Sequence, residues 1–233
     1  MRETYGGGGE THPLFFWGTI VAKIEAPMIS EVTGVLLAGG KSRRMGEDKR
    51  FLSIGEGTLF DRSLAVLRSL FETVFVVIAQ DSPALQSDAP VLRDLIPDCG
   101  SLGGLYTGLK QAKTPYVFVV ACDMPFLNPA TVRYFMEAKG DHDVIMAELQ
   151  NGLHPMHALY HRRCLPVMED LMKVRDLKIQ RLAAHPALRV RLLTQAELDA
   201  IDPQGRSFYN VNTPSDLEAA RVIQAKVRDG SSL

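Results

Sequence analysis

From Thr33 onward, short β-branched or apolar runs alternate with stretches of helical periodicity. That pattern constrains the chain to a largely parallel sheet covered by helices on both faces. Residues 35–38, 74–79 and 116–121 are continuous apolar runs without polar alternation, as expected of strands buried on both sides. Behind Thr58, an N-cap residue type, Leu59, Phe60, Leu64, Leu67, Leu70 and Phe71 recur at helical spacing. Val91-Leu92 predicts a short third strand, and residues 102–112 a helix opened by glycines. Asn128-Pro129 supplies an N-cap followed by proline at the first helical position, and Gly140 closes that helix. Residues 144–147 and 158–160 read as two further strands. Thr194-x-x-Glu197 is a capping box, and Thr213-Pro214-x-Asp216 starts a last helix with Leu217, Ala220, Ile223 and Val227 on one face. The expectation is one α/β domain over residues 29–228. Residues 1–28 are read as a flexible N-terminal extension or a mis-assigned start ahead of Met28, and 229–233 as a disordered tail.

Composition narrows the function. In 233 residues, 26 basic side chains face 27 acidic ones, so there is no global field to hold a polyanion. Nucleic-acid and membrane partners are therefore not expected. Cys99, Cys122 and Cys164 form no C-x-x-C pair, which excludes a disulfide framework and a thiolate zinc site and fits a reducing cytoplasm. Residues 14–22 are too short to span a bilayer and follow Glu3, Glu10 and His12 instead of a basic cluster, so no secretion signal is expected.

Phosphate chemistry, if present, must be local, and one segment offers it. Residues 37–49 (LAGGKSRRMGEDK) begin where the first strand ends, are rich in glycine and carry Lys41, Arg43, Arg44 and Lys49, with Arg50 next. At the carboxyl end of a sheet, glycines let backbone N–H groups approach a phosphate. The segment is neither a Walker A loop, since Val35 stands where its first glycine is needed, nor a G-x-G-x-x-G turn. A solvated basic turn is the competing reading. Asp123, just past the strand at 116–121, points into the same crevice and suits a magnesium ion, which takes one or two protein carboxylates and completes its shell with phosphates and water. Its alternative is a turn cap before Pro125. Gly100-Ser101-Leu102-Gly103-Gly104 can bring backbone donors to a ligand or let a helix pack closely. His154, His157 and His161 invite a zinc site, but a regular strand sends His154 and His157 to opposite faces and no further ligand completes a tetrahedron. No G-x-S-x-G elbow is present, and Cys122 reads as a buried strand-end residue.

Together these motifs resemble the molybdenum cofactor guanylyltransferases, a family of the nucleotidyltransferase superfamily. The resemblance runs over most of residues 32–225. It is carried by Leu37-Ala38-Gly39-Gly40, Arg43-Arg44-Met45-Gly46, Asp48-Lys49, Asp94, Gly100–Gly104, Cys122-Asp123-Met124-Pro125, His154-Pro155 and Asn210-Val211-Asn212-Thr213-Pro214. It implies a Rossmann-like, three-layer α/β/α fold with a mostly parallel sheet. It further implies that Leu37, Ala38, Gly39, Lys49, Asp94 and Asp123 bind GTP, that Asp123 also binds Mg2+, and that Asn210 and Asn212 face molybdopterin. The implied reaction is transfer of GMP from GTP to the terminal phosphate of molybdopterin or its molybdenum-loaded form, with release of pyrophosphate. Lys49, Asp123 and Arg44 are the catalytic candidates, and molybdoenzyme-specific chaperones are possible further partners. Two positions depart from the family pattern: Ser101 replaces a proline, and Gln80 an asparagine. A related transferase using CTP or another phosphorylated acceptor, and a non-catalytic nucleotide-binding regulator, remain the alternatives.

Overall fold

The computed structural model describes residues 27–39 and 48–228. Residues 1–26 of the N-terminal extension, the segment holding Gly40, Lys41, Arg43 and Arg44, and the tail after residue 228 lie outside the described residues. Thirteen strands and longer helices follow in order: β1 (Ile29–Leu37), α1 (Leu59–Leu70), β2 (Phe71–Ile78), β3 (Val91–Arg93), α2 (Gly100–Gln111), β4 (Tyr116–Ala121), α3 (Pro129–Glu137), β5 (Val144–Leu149), β6 (Gly152–His161), α4 (Leu165–Lys173), β7 (Val190–Thr194), α5 (Gln195–Asp199) and α6 (Pro214–Arg228). The strands form one seven-stranded sheet of order β3-β2-β1-β4-β6-β5-β7. Neighbours pair in parallel except β6, which runs antiparallel to both β4 and β5.

The apolar runs have two buried faces because successive side chains alternate across the sheet. Val32 and Leu36 of β1 join Phe60, Leu64 and Leu67 of α1 and Val132 and Phe135 of α3 in one core cluster. Val35 and Leu37 join Leu102, Leu105 and Leu109 of α2 and Val167, Met168 and Met172 of α4 in the other. Burying a side chain such as Leu36 or Phe118, both fully enclosed, stabilises the fold by roughly 1.5–3 kcal/mol. A third, smaller cluster of Leu52, Ile54, Leu59, Val211, Leu217 and Ala220 fastens α6 to the entrance of α1.

Local codes act as read. Thr58 and Asp61 form a reciprocal capping box, as do Thr194 and Glu197. Asn128 caps α3 through Ala130 N, with Pro129 next, and Gly140 adopts φ +46° beyond the helix. Phe71 differs: it is extended, opens β2 and stacks on Phe118 at 5.9 Å, so packing across the sheet overrides its helical spacing. α4 and β7 add to the elements expected from the sequence. β7 lies at the sheet edge with Arg191 among half-buried Val190 and Leu192, and only its pairing with β5 makes it a strand. Among the described residues, no helix is long and apolar enough to cross a membrane.

Candidate active site

The chain order places β1 and β4 side by side, with connections leaving to opposite sides, so a crevice opens at their carboxyl ends. Leu37 and Ala121 are in register there, and Cys122 N–H donates to Leu37 O at 3.1 Å. Ala38 N–H donates to Val77 O at 2.9 Å, which turns the chain out of the sheet at Gly39. A Cβ at Gly39 would sit 3.0 Å from Ala79 N, so only glycine passes this close to β2 without displacement.

Lys49 opens a 3-10 turn, Lys49–Phe51, whose N-cap Asp48 accepts from Arg50 N–H. From this turn Lys49 Nζ reaches Asn212 Oδ1 at 2.9 Å and Asp123 Oδ2 at 3.5 Å. Arg50 folds back on Asp48, donating to both carboxylate oxygens from Nε and to Oδ2 from Nη2, and holds that carboxyl below the usual carboxylate range. Burial raises the Asp123 carboxyl, while the Lys49 ammonium acts in the opposite sense. Asp123 Oδ1 is buried without a hydrogen-bond partner. Cys122, beside it, is also buried, and its thiol is pushed up to about 12, which leaves no thiolate for nucleophilic chemistry at neutral pH.

The Asn210–Asn212 turn is docked by its backbone: Val211 N–H donates to Asp123 O at 2.9 Å. Asp216, in the first turn of α6, accepts from the N–H groups of Asn212 and Thr213 and so holds the turn from the other side. The Asn212 side chain is therefore not needed for the turn and points to Lys49 instead. Asn210 Nδ2 donates to Phe208 O at 3.3 Å.

Two cavities share the wall formed by Leu37, Gly39 and Ser101. The first, about 500 Å³, is lined by Lys49, Asp123, Asn210 and Asn212 on one side and by Asn151, His154 and Gln180 on the other. The second, about 460 Å³, is lined by Ile78, Gln80, Asp94 and Gly104. Asp94 N–H is fixed by Ile78 O at 2.9 Å, its Oδ1 is buried without a partner, and burial raises its carboxyl to about 6. Between the cavities stands the N-terminus of α2, which has no side-chain cap. Its glycines serve packing as well: Cβ atoms at Gly104 and Gly108 would lie 3.2 Å from Leu37 Cδ2 and 2.9 Å from Val35 Cγ1.

The structure thus brings Leu37, Ala38, Gly39, Lys49, Asp94, Asp123, Asn210 and Asn212 to one crevice, whereas Arg44 lies outside the described residues. One expectation is overturned. His154 and His157 do not point to opposite faces, because β6 is irregular where it pairs with β5 and passes from His154 opposite Ala147 to Ala158 opposite Met146. Both rings consequently pack on Phe208, at 5.1 and 4.5 Å. His157 is enclosed, with burial lowering its pKa to about 3, so it is a neutral core residue. Among the described residues, no group of three or more His, Cys, Asp or Glu side chains is placed to hold a metal. The cavity-lining roles of Asn151 and Gln180 had no signal in spacing or composition, since only the fold brings them to the crevice.

Comparison with known proteins agrees with the fold. The model of the MobA-like NTP transferase domain matches residues 34–190. The chain is 36% identical over 200 residues to a probable molybdenum cofactor guanylyltransferase of Pelotomaculum thermopropionicum, covering 86% of this chain and 97% of that protein. It is 37% identical over 191 residues to a molybdenum cofactor guanylyltransferase of Desulfosudis oleivorans, covering 81% and 94%. In fold, it is similar to molybdopterin-guanine dinucleotide biosynthesis protein A of Archaeoglobus fulgidus, with a TM-score of 0.74 at 24% identity over 83% of this chain and 99% of that one. Matched over most of its length by the family model and by relatives above 30% identity, the chain belongs to the MobA-like NTP transferase family and is a nucleotidyltransferase.

Proposed function

We propose that the chain transfers GMP from GTP to the terminal phosphate of molybdopterin or its molybdenum-loaded form, releasing pyrophosphate and forming the guanine dinucleotide cofactor. The observation that carries this reading is the meeting of Lys49, Asp123 and Asn212 in a cavity that shares a wall with the Asp94 pocket. The names of its relatives supply the substrates. An oxygen of the acceptor phosphate attacks the α-phosphorus of GTP, and the bond to the β-phosphate oxygen breaks. The acceptor is already anionic, so the barrier is dominated by repulsion between anions, not by a missing base.

In this reading Lys49 neutralises charge on the α-phosphate and the departing pyrophosphate, and Asn212 holds its ammonium in place. The unsatisfied Asp123 Oδ1 fits a divalent cation resting on one carboxylate, its remaining ligands being phosphate and water. When bound, Mg2+ would supply electrostatic stabilisation of the phosphoryl oxygens. The uncapped N-terminus of α2 adds backbone donors at the wall between the cavities. Asp94 reads the base: guanine offers N1–H and an exocyclic amine, two donors that a carboxylate accepts, whereas cytosine presents an acceptor at N3. Asn210 and Asn212 stand on the acceptor side.

A nucleotide panel with Mg2+ and molybdopterin, followed by mass analysis of the product, tests this. GTP should add the mass of GMP and release pyrophosphate. A product formed from CTP and not GTP would replace this reading with a cytidylyl transfer, and no pyrophosphate from any nucleotide would favour a binding-only role.

A further inference from the structure

The far wall of the first cavity, away from Lys49 and Asp123, has a chemistry of its own. Asn151 sits in the turn between β5 and β6, His154 lies in β6, and Gln180 comes from the 3-10 segment Ile179–Ala184. Leu153, Pro155 and Met156 complete the wall. None of these six residues carries a fixed charge, in contrast to Asp48, Lys49, Arg50 and Asp123 on the opposite side.

His154 is buried and its ring packs edge-on against Phe208 at 5.1 Å. One ring nitrogen, Nε2, lies 2.7 Å from Asn151 Oδ1. An amide oxygen only accepts, so Nε2 carries the proton and Nδ1 is left with a lone pair. Burial lowers the pKa of this imidazole, which keeps the ring neutral. Among the described residues, the His154 ring makes its one hydrogen bond through Nε2 and none through Nδ1. With its oxygen turned to His154, Asn151 retains its amide N–H groups as donors.

We propose that Asn151 and His154, aided by Gln180, recognise the aminopyrimidinone ring of the acceptor's pterin. This rests on the reading of molybdopterin as acceptor. That ring presents a ring N–H and an exocyclic amine beside a carbonyl oxygen. An imidazole lone pair takes one of the former, and the Asn151 amide donates to the latter. Leu153, Pro155 and Met156 offer apolar surface to the ring face, and the cavity leads from there to Lys49, where the acceptor's phosphate must arrive. An uncharged wall of acceptors, donors and apolar groups suits a neutral heterocycle; a phosphate would meet no cation on it.

The test measures KM for molybdopterin, KM for GTP, kcat and melting temperature for the wild type, Asn151→Ala and His154→Gln. Asn151 is exposed on a turn, so its variant keeps the fold even if the buried His154 position does not tolerate glutamine. Loss of one hydrogen bond should raise KM for molybdopterin by roughly three- to tenfold in Asn151→Ala, with KM for GTP unchanged and the melting temperature lowered by only a few degrees, since the His154 ring loses its acceptor. His154→Gln, if folded, should show the same split. An unchanged KM for molybdopterin in Asn151→Ala, or an equal loss for both substrates, overturns the assignment. A wild type that makes no dinucleotide from molybdopterin would instead overturn the proposed function itself.

Discussion

Lys49 and Asn212, 163 positions apart in the chain, meet through a 2.9 Å hydrogen bond from the ammonium to the amide oxygen. Asp123 lies on the same ammonium at 3.5 Å, with its backbone oxygen bound to Val211 N–H. The contact therefore joins the turn after β1, the end of β4 and the approach to α6.

This contact predicts coupled kinetics. Lys49→Ala should lower kcat/KM for GTP on the order of a hundredfold, and Lys49→Arg should restore part of it, because a planar guanidinium does not reproduce a compact ammonium. Asn212→Ala should cost about tenfold, and the double variant should lose less than the product of the two single effects. A pyrophosphate-release assay measures all four, and strictly multiplicative losses would separate the residues functionally.

Asp123→Asn should abolish turnover while preserving the fold. The substitution removes a carboxylate that burial already disfavours in its charged form, so the melting temperature should hold or rise. Turnover should fall on the order of a hundredfold or more. Near-normal turnover by the folded variant would take Asp123 out of the mechanism.

Asp94 should make stability depend on pH in a defined window. Burial raises its carboxyl to about 6 from the ordinary carboxylate value of 3.8. Between these values the folded chain holds a proton that the unfolded chain has released, so this residue's contribution to stability falls as pH rises through the window and stays low above it. Asp94→Asn should therefore melt higher than the wild type at pH 7 and equal it near pH 3. In calorimetry the same variant should bind GTP more weakly at pH 7, and wild-type affinity should increase as the carboxylate ionises through pH 6. A pH-independent difference in melting temperature would contradict the assignment.

Gly108→Ala tests the close approach of α2 to β1. Alanine favours a helix by up to about 1 kcal/mol, but its Cβ would lie 2.9 Å from the Cγ1 of Val35, a stiff side chain in the middle of the sheet. Overpacking of this kind costs about 1–3 kcal/mol, so urea unfolding should show a net loss on the order of 1 kcal/mol. A stabilised variant would show that the helix can lift without cost.

Much of this molecule is written in short-range terms. The two-faced apolar strands, the capping boxes at Thr58 and Thr194, the Asn128-Pro129 start and the glycine turn after Leu37 depend on neighbours within a few residues, so the sequence alone determines them. The same holds for the presence of Asp123 at a strand end, which follows from where the apolar run of β4 stops. Tertiary structure decided which distant segments complete the site. Asn212 reaches Lys49 only because Val211 pairs with Asp123 O, and Asp94 becomes a poised carboxyl only when the fold buries its oxygen. His154 and His157 share a side only because β6 leaves its regular register against β5, and β7 is a strand only because β5 receives it. Those outcomes are set by burial and pairing between residues far apart in the chain, and no local spacing encodes them.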